Sequence, residues 1–116
     1  MLNFKKVRKN WQFQNIINLK QQIVSKDLIL YYKNFFQFEL GISIPKKFVN
    51  AVKRNHYKRQ IKVIVQNYLK EKKDFKVNFQ IIIITRKNFL NLDFKTKEQK
   101  IKNILNELES IWNRKK

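Results

Sequence analysis

Apolar side chains recur every three to four residues in three parts of this chain, which is the spacing of amphipathic helices. The longest of these parts predicts a helix over residues 49–69. A short helix is predicted before it, over residues 10–20, and a closing helix over residues 96–112, with Thr96 as its N-terminal cap. Each predicted helix has one apolar side, so each can pack against a sheet.

Apolar runs of strand length lie between the predicted helices. Residues 79–85 include four consecutive isoleucines and predict a strand that is buried on both faces. Residues 28–32 predict another strand, and a turn at residues 33–34 would pair it as a hairpin with residues 36–44. A brief strand is expected at residues 23–24. The expected fold is an α/β (α+β) two-layer sandwich with about four strands in a mixed sheet, one face of which stays partly open.

The length and composition suit one domain. The chain has 116 residues, 43% of them hydrophobic, which is enough for the core of a single domain over residues 1–116. Residues 1–9 of this domain are expected to form a basic N-terminal arm. The absence of cysteine removes disulfides, thiolate metal sites and a cysteine nucleophile. Charges interrupt the first 20 residues and every long apolar run, so we expect no signal peptide, no membrane span and a cytoplasmic location.

The formal net charge of +19 indicates the kind of partner. Self-repulsion on this scale is relieved by binding a polyanion, and nucleic acid is the commonest one. An anionic membrane surface would require a helix with an exposed apolar side, whereas the apolar sides of these helices are needed for the core. We therefore expect nucleic-acid binding and no membrane partner.

The positive charge is densest in residues 51–62, AVKRNHYKRQIK, within the long helix. Two of the five arginines of the chain, Arg54 and Arg59, stand here, and a planar guanidinium suits bidentate contact with phosphate. Such a charge run can be only a solvated helix surface, but the charge of the whole chain favours binding. Two further lysines precede the helix, whose N-terminus attracts anions. One face is expected to hold Lys53, Arg54, Asn55, Lys58, Arg59 and Lys62, with Lys46 and Lys47 at the helix entrance.

Residues that carry catalysis are not grouped in this sequence. The eight carboxylates are scattered, whereas metal-dependent nucleases cluster three or more of them. The one histidine, His56, has no acid or base partner nearby in the sequence, and the one glycine, Gly41, excludes a glycine-rich phosphate loop. We predict no catalytic residue and no metal ligand in this chain.

Residues 41–47, GISIPKK, and residues 50–59, NAVKRNHYKR, closely resemble the protein subunit of bacterial ribonuclease P. That family has a strand ending G-[LIV]-S-V-S-K-K and then a helix written N-A-V-x-R-N-R-x-K-R-x-x-R. The similarity extends over nearly the whole chain. The departures from the family pattern are Pro45 for serine, Val49 for glycine, His56 for the second arginine and Lys62 for the last arginine.

The resemblance implies an accessory subunit of an endoribonuclease that removes the 5′ leader of precursor tRNA. It implies that the RNA subunit is catalytic, that Mg²⁺ is held mainly by that RNA and the substrate, and that the protein alone is inactive. The implied partners are the ribonuclease P RNA and precursor tRNA, with no obligate protein partner. The family sheet also contains an unusual left-handed βαβ crossover.

The residues expected to bind the RNA subunit are the basic set Lys46, Lys47, Lys53, Arg54, Asn55, Lys58, Arg59 and Lys62. For the leader, Phe13 and Tyr31 match aromatic cleft positions of the family and can stack on bases, while Arg86 and Lys87 can reach phosphates. A structural or ribosomal RNA-binding protein with the same type of sandwich, and no role in tRNA processing, is the alternative. A self-sufficient nuclease is a second alternative.

Overall fold

The computed structural model describes residues 4–72 and 74–115. Strands and helices alternate along the chain, as the two periods of its apolar residues predict. In chain order the elements are β1 (Lys5–Lys6), α1 (Asn10–Asn18), β2 (Gln22–Val24), β3 (Leu28–Asn34), β4 (Glu39–Ser43), α2 (Ala51–Glu71), β5 (Phe79–Thr85), α3 (Lys87–Leu90) and α4 (Phe94–Lys115).

One mixed sheet of five strands, in the order β1-β4-β5-β3-β2, runs through the described residues. β5 is central: it is antiparallel to β3, with Leu28 opposite Thr85, and parallel to β4, with Gly41 opposite Ile82. Its predicted bounds are confirmed, because a run of consecutive isoleucines is suited to a strand that is covered on both faces. β4, α2 and β5 form a βαβ crossover between parallel neighbours, and its left hand stays a prediction.

The helices lie on both faces of the sheet. On one face the apolar sides of α2 and α4, including Ile64 and Leu105, pack on each other and on the sheet in the larger core, with α2 nearest β4 and α4 nearest β2. On the other face Ile16 of α1 packs with Val7 and Ile82 in a smaller core. The mixed α+β architecture is confirmed, with five strands rather than the expected four. No helix in the described part of the chain is both long enough and apolar enough to cross a bilayer.

The predicted hairpin between residues 28–32 and residues 36–44 is wrong. β5 lies between β3 and β4, so the two strands do not pair with each other. β3 continues through Asn34, which lies opposite Phe79, where the turn was expected. An alternating pattern assigns a strand's two faces, but it carries no information on which strand lies next to it.

Part of the predicted basic N-terminal arm, residues 1–9, joins the sheet. Lys5 and Lys6 form β1, and Lys5 lies opposite Glu39 of β4. The Val7 amide donates to the Leu40 carbonyl at 2.9 Å. Phe4 and Val7 are buried, so two apolar residues anchor this basic segment. Residues 1–3 of the arm lie outside the described residues.

The helix ends are set by capping side chains. The Asn50 side chain accepts a hydrogen bond from the Lys53 amide at 2.9 Å and begins α2 within two residues of the predicted start. In α4, the Asp93 carboxylate accepts from the Thr96 amide at 2.8 Å, so the cap is Asp93 and the prediction of Thr96 is wrong. Hydrogen bonds from the Thr96 side chain and then from the Thr96 amide lower the pKa of the Asp93 carboxyl, because they favour its ionised form.

Candidate nucleic-acid interface

A groove of about 580 Å³ runs along the outer edge of β4, between α1 and α2. It exists because the two-residue β1 covers only the first part of that edge, opposite Glu39 and Leu40. From Gly41 onward, β4 forms the floor of the groove. We call this feature the β4 groove.

One wall of the β4 groove is a row of cations from α2. Arg54, Lys58 and Lys62 follow one another at i, i+4 and i+8, so they lie on one side of the helix, and all three line the groove. Lys6 of β1 completes this wall. Partial burial lowers the pKa of Lys62. Lys6 lowers this pKa further, by charge repulsion and then by a hydrogen bond, and repulsion from Lys58 adds to the effect. An anion placed among these groups would relieve that repulsion.

The carboxylates of the protein lie elsewhere. Salt bridges within the described residues join Lys72 to Glu109, Lys100 to Asp27 and Lys102 to Glu71, and none involves a cation of the β4 groove. No acidic side chain lines the groove. Its positive charge is therefore available to a partner molecule.

The opposite wall is formed by Phe13 of α1, which lies directly over Gly41. A Cβ atom added to Gly41 would stand 2.8 Å from Cζ of Phe13 and 3.2 Å from Cβ of Val7. Only glycine permits this approach, because any side chain would meet the ring. Phe13 is half-buried: part of its ring packs on the sheet with Ile82, and part lines the groove.

The structure brings together only part of the predicted binding set. Lys46, Arg54, Lys58 and Lys62, which were expected to bind the RNA subunit, line the β4 groove together with Phe13. Lys53 does not share the expected face of α2, because successive residues are about 100° apart and Lys53 therefore lies about 140° around the helix from Lys58. The other four residues of the set are exposed and do not line the groove: Lys47, Lys53, Asn55 and Arg59.

The other residues expected at the leader site are further from the groove. Tyr31 is half-buried in the smaller core beside α1 and does not line the groove. Arg86 and Lys87 are exposed where β5 ends. Because β4 and β5 are parallel, this is the same end of the sheet at which β4 ends. His56 is exposed, with its ring 5.7 Å from that of Tyr57.

Sequence reasoning missed two lysines. Lys6 was assigned to a basic arm, because β1 is too short and too charged for a pattern to indicate a strand. Lys97 is only 3% exposed, and its ammonium donates to Gln60 at 2.9 Å and lies 4.5 Å from the Tyr57 ring centroid. Burial lowers the pKa of Lys97. Nothing in the sequence around Lys97 distinguishes it from the exposed lysines of α4.

In the described ranges, no three His, Cys, Asp or Glu side chains are close enough to form a metal site. The cations and the aromatic ring that line the β4 groove suit the recognition of phosphates and of bases.

Comparison with known proteins agrees with that chemistry. The family model described as Ribonuclease P matches residues 1–109. The chain is 52% identical over 109 residues to the ribonuclease P protein component of Mesomycoplasma hyopneumoniae, with 94% of this chain and 96% of the relative covered. It is 47% identical over 104 residues to the same component of Mycoplasma mobile, which covers 90% of this chain and 89% of that one.

Solved structures share the fold. The RNase P protein of Staphylococcus aureus superimposes with a TM-score of 0.72 at 27% identity, covering 87% of this chain and 92% of the other. The RNase P protein of Thermotoga maritima gives a TM-score of 0.69 over 91% of this chain and 96% of the other, at 24% identity. With a family model that matches almost its full length and relatives at about half identity, this chain belongs to the ribonuclease P protein family.

Proposed function

We propose that this chain is the protein subunit of a ribonuclease P holoenzyme and assists the removal of the 5′ leader from precursor tRNA. Relatives that carry the name ribonuclease P protein component support the holoenzyme role. Hydrolysis and the required Mg²⁺ ions are assigned to the RNA subunit and the substrate. The protein contributes binding and position: its cations neutralise phosphates where two RNA molecules meet.

The β4 groove is the proposed site for the single-stranded leader. The observation that carries this assignment is the row Arg54, Lys58 and Lys62 facing Phe13 across a groove without a lining carboxylate. A leader in the groove would place its phosphates along the row and one base on the exposed part of the ring. Stacking on an aromatic side chain contributes about 1 to 3 kcal/mol per base and requires no particular sequence, which suits leaders that differ between tRNAs.

The outward side of α2 is the proposed contact for the RNA subunit. Asn55 and Arg59, four residues apart, are exposed there, Lys53 is exposed in the first turn of the helix, and none of the three lines the β4 groove. α2 would then hold the leader on one side and the catalytic RNA on another. A rigid helix between the two would fix the distance from the leader to the catalytic site.

Reconstitution tests this function directly. We expect the purified protein, mixed with a bacterial ribonuclease P RNA, to lower the Mg²⁺ concentration needed to cleave precursor tRNA. A structural RNA-binding protein without a role in tRNA processing would bind RNA but leave that requirement unchanged. Cleavage by protein that has been freed of RNA would instead indicate a self-sufficient nuclease.

Two arginine variants separate the proposed contacts. Arg54→Ala should weaken binding of precursor tRNA more than that of mature tRNA, because it removes a cation from the groove. Arg59→Ala should weaken assembly with the RNA subunit, with the two tRNA forms affected equally. Equal effects of the two variants on assembly and on leader discrimination would show that α2 does not divide its contacts in this way.

A further inference from the structure

The connection between β3 and β4, residues 35–38, presents an aromatic ring that the proposed function does not use. Phe36 is 74% exposed, the largest exposed fraction among the aromatic side chains of the described residues. Its ring lies 4.4 Å from that of Phe35, centroid to centroid, at 37°. A ring backed by another ring buries its inner face and leaves its outer face available for stacking.

This connection is held at both ends. The Phe35 amide donates to the Asn78 carbonyl at 3.0 Å, which ties it to the residue before β5. Phe38 is wedged edge-on between Phe4, at 6.1 Å, and Phe75, at 5.7 Å. Phe36 is therefore presented from a fixed support, and stacking on it would not require the connection to be ordered first.

The polar groups around the connection suit a nucleic acid. A second cavity, of about 410 Å³, adjoins it and is lined by Gln37, Lys72, Lys76 and Asn78 among others. Lys72 is paired with Glu109, whereas Lys76 is exposed. Lys33 of β3, which lies opposite Gln80, brings a further cation close to the connection.

Two carboxylates lie near these cations. Glu39 is buried, and its oxygens accept hydrogen bonds from Gln37 and Gln80, each at 2.8 Å. Asp74 is exposed, beside Phe75. A second copy of the chain would bring another net charge of +19 against this surface, so RNA is favoured over self-association.

The β4 groove leads toward the same connection. Phe4 lines one end of the groove and contacts Phe38, two residues beyond Phe36. A single strand that leaves the groove at Phe4 would therefore pass the connection. From this continuity we infer that Phe36 is a stacking platform for an unpaired RNA base outside the β4 groove. The inference rests on the proposed function, because the groove supplies the RNA that reaches it.

Oligonucleotide length tests the inference. At about 3.4 Å per stacked nucleotide, an oligouridylate of about four nucleotides extends about as far as the row from Arg54 to Lys62 and cannot also reach Phe36, whereas one of about 20 nucleotides can span both sites. We expect Phe36→Ala to bind the longer probe at least about fivefold more weakly, as loss of one stacked base predicts, and to bind the shorter probe as the unchanged protein does. Phe36→Trp should retain the affinity, and Phe36→Leu, which keeps the apolar surface without the ring, should not.

Phe94→Ala is the matched control, since Phe94 is another exposed phenylalanine (42%), located at the start of α4, away from the connection. It should bind both probes as the unchanged protein does.

Unchanged binding of the longer probe by Phe36→Ala would overturn the inference. If Arg54→Ala at the same time weakens both probes, the groove assignment stands and only the platform fails. If Phe36→Ala lowers the molecular mass in solution without changing RNA binding, the ring serves a second copy of the chain and the inference is likewise wrong.

The holoenzyme distinguishes two sources of the stacked base, the leader and the RNA subunit. If the base belongs to the leader, Phe36→Ala will weaken binding of precursor tRNA with a long leader and spare one with a leader of a few nucleotides. If it belongs to the RNA subunit, the variant will weaken assembly regardless of leader length. Either result supports the platform, and a variant that matches the unchanged protein in both measurements would contradict it.

Discussion

The contact between Gly41 and Phe13 shows how one missing side chain forms the wall of a binding site. The ring of Phe13 occupies the space where a Cβ atom of residue 41 would stand, 2.8 Å from its Cζ. The tip of the ring can therefore approach the backbone of β4 closely while the ring still lines the β4 groove. The sequence alone does not explain why residue 41 is glycine, because Phe13, the residue that packs on it, is 28 positions away.

Gly41→Ala tests this contact. We expect the added methyl group to displace the Phe13 ring, to destabilise the protein by about 1 to 3 kcal/mol and to weaken discrimination of precursor from mature tRNA. Chemical unfolding and tRNA binding measure the two effects. Combining the change with Phe13→Leu should recover part of the stability but not the discrimination. Full stability and discrimination in Gly41→Ala would show that the ring moves aside without consequence.

Lys97 is a buried cation that is held by an amide and by aromatic rings. Because burial lowers the pKa of Lys97 in the folded protein, the unfolded chain binds this proton more tightly than the folded one. The free energy of unfolding should therefore rise as the pH rises from the folded pKa toward 10.5, the ordinary value. This contribution is absent at lower pH, where both states are protonated.

Lys97→Met should reduce this rise in the free energy of unfolding at alkaline pH. The measurement is urea unfolding from pH 7 to about pH 10, with Lys95→Met as the matched control because it removes an exposed charge from the same helix. If the free energy of unfolding changes with pH in the same way for Lys97→Met and for the unchanged protein, the pKa of Lys97 is not lowered by folding.

Among the elements, α2 carries most of the proposed function, and its first turn depends on one cap. Asn50 accepts from the Lys53 amide, and the cations of the helix begin directly after it. Asn50→Ala should lower the stability of the protein by about 1 kcal/mol and weaken RNA binding through fraying of the turn with Lys53 and Arg54. Thermal unfolding and RNA titration would show both effects. Asn50→Asp keeps an oxygen acceptor, so a loss of stability equal to that of Asn50→Ala would count against the cap.

The sequence predicted element types better than element neighbours. The helices α1, α2 and α4 follow from the spacing of apolar residues, and β5 follows from its continuous apolar run; both patterns involve residues that are near one another in the sequence. The pairing of β3 with β5, rather than with β4, depends on contacts about 50 residues apart. β1 is too short and too charged for a pattern to reveal it.

The candidate site was predictable to a similar degree. Arg54, Lys58 and Lys62 follow from helical spacing, and Phe13 follows from the family resemblance. That these residues share a groove with Lys6 could not be predicted, because the groove exists only where β1 leaves the edge of β4 uncovered.

Across the whole molecule, 27 basic side chains meet eight acidic ones. Salt should therefore act in opposite directions on folding and on binding. Raising NaCl from about 0.05 to about 0.5 M should raise the melting temperature of the free protein, because it screens self-repulsion. The same change should weaken RNA binding. A melting temperature that falls with salt would mean that the net charge does not limit stability.

The salt dependence of binding can be assigned to individual cations. Each lysine that neutralises a phosphate of a single strand contributes about 0.7 to the slope of log affinity against log salt. Lys58→Ala should reduce the slope for the leader by about that amount. Lys102→Ala, which removes a half-buried cation paired with Glu71, should leave the slope unchanged. Equal slopes for all three proteins would remove Lys58 from the set of phosphate contacts.

The central place of β5 has a consequence during synthesis. Until residues 79–85 leave the ribosome, β3 can pair only with β2, and β4 only with the two residues of β1. The basic helix is made before the strand that joins the halves of the sheet, so the growing chain is for a time a polycation with uncovered apolar surface. Such a chain can adhere to any nearby RNA. The selective groove forms only when the last third of the protein has been translated.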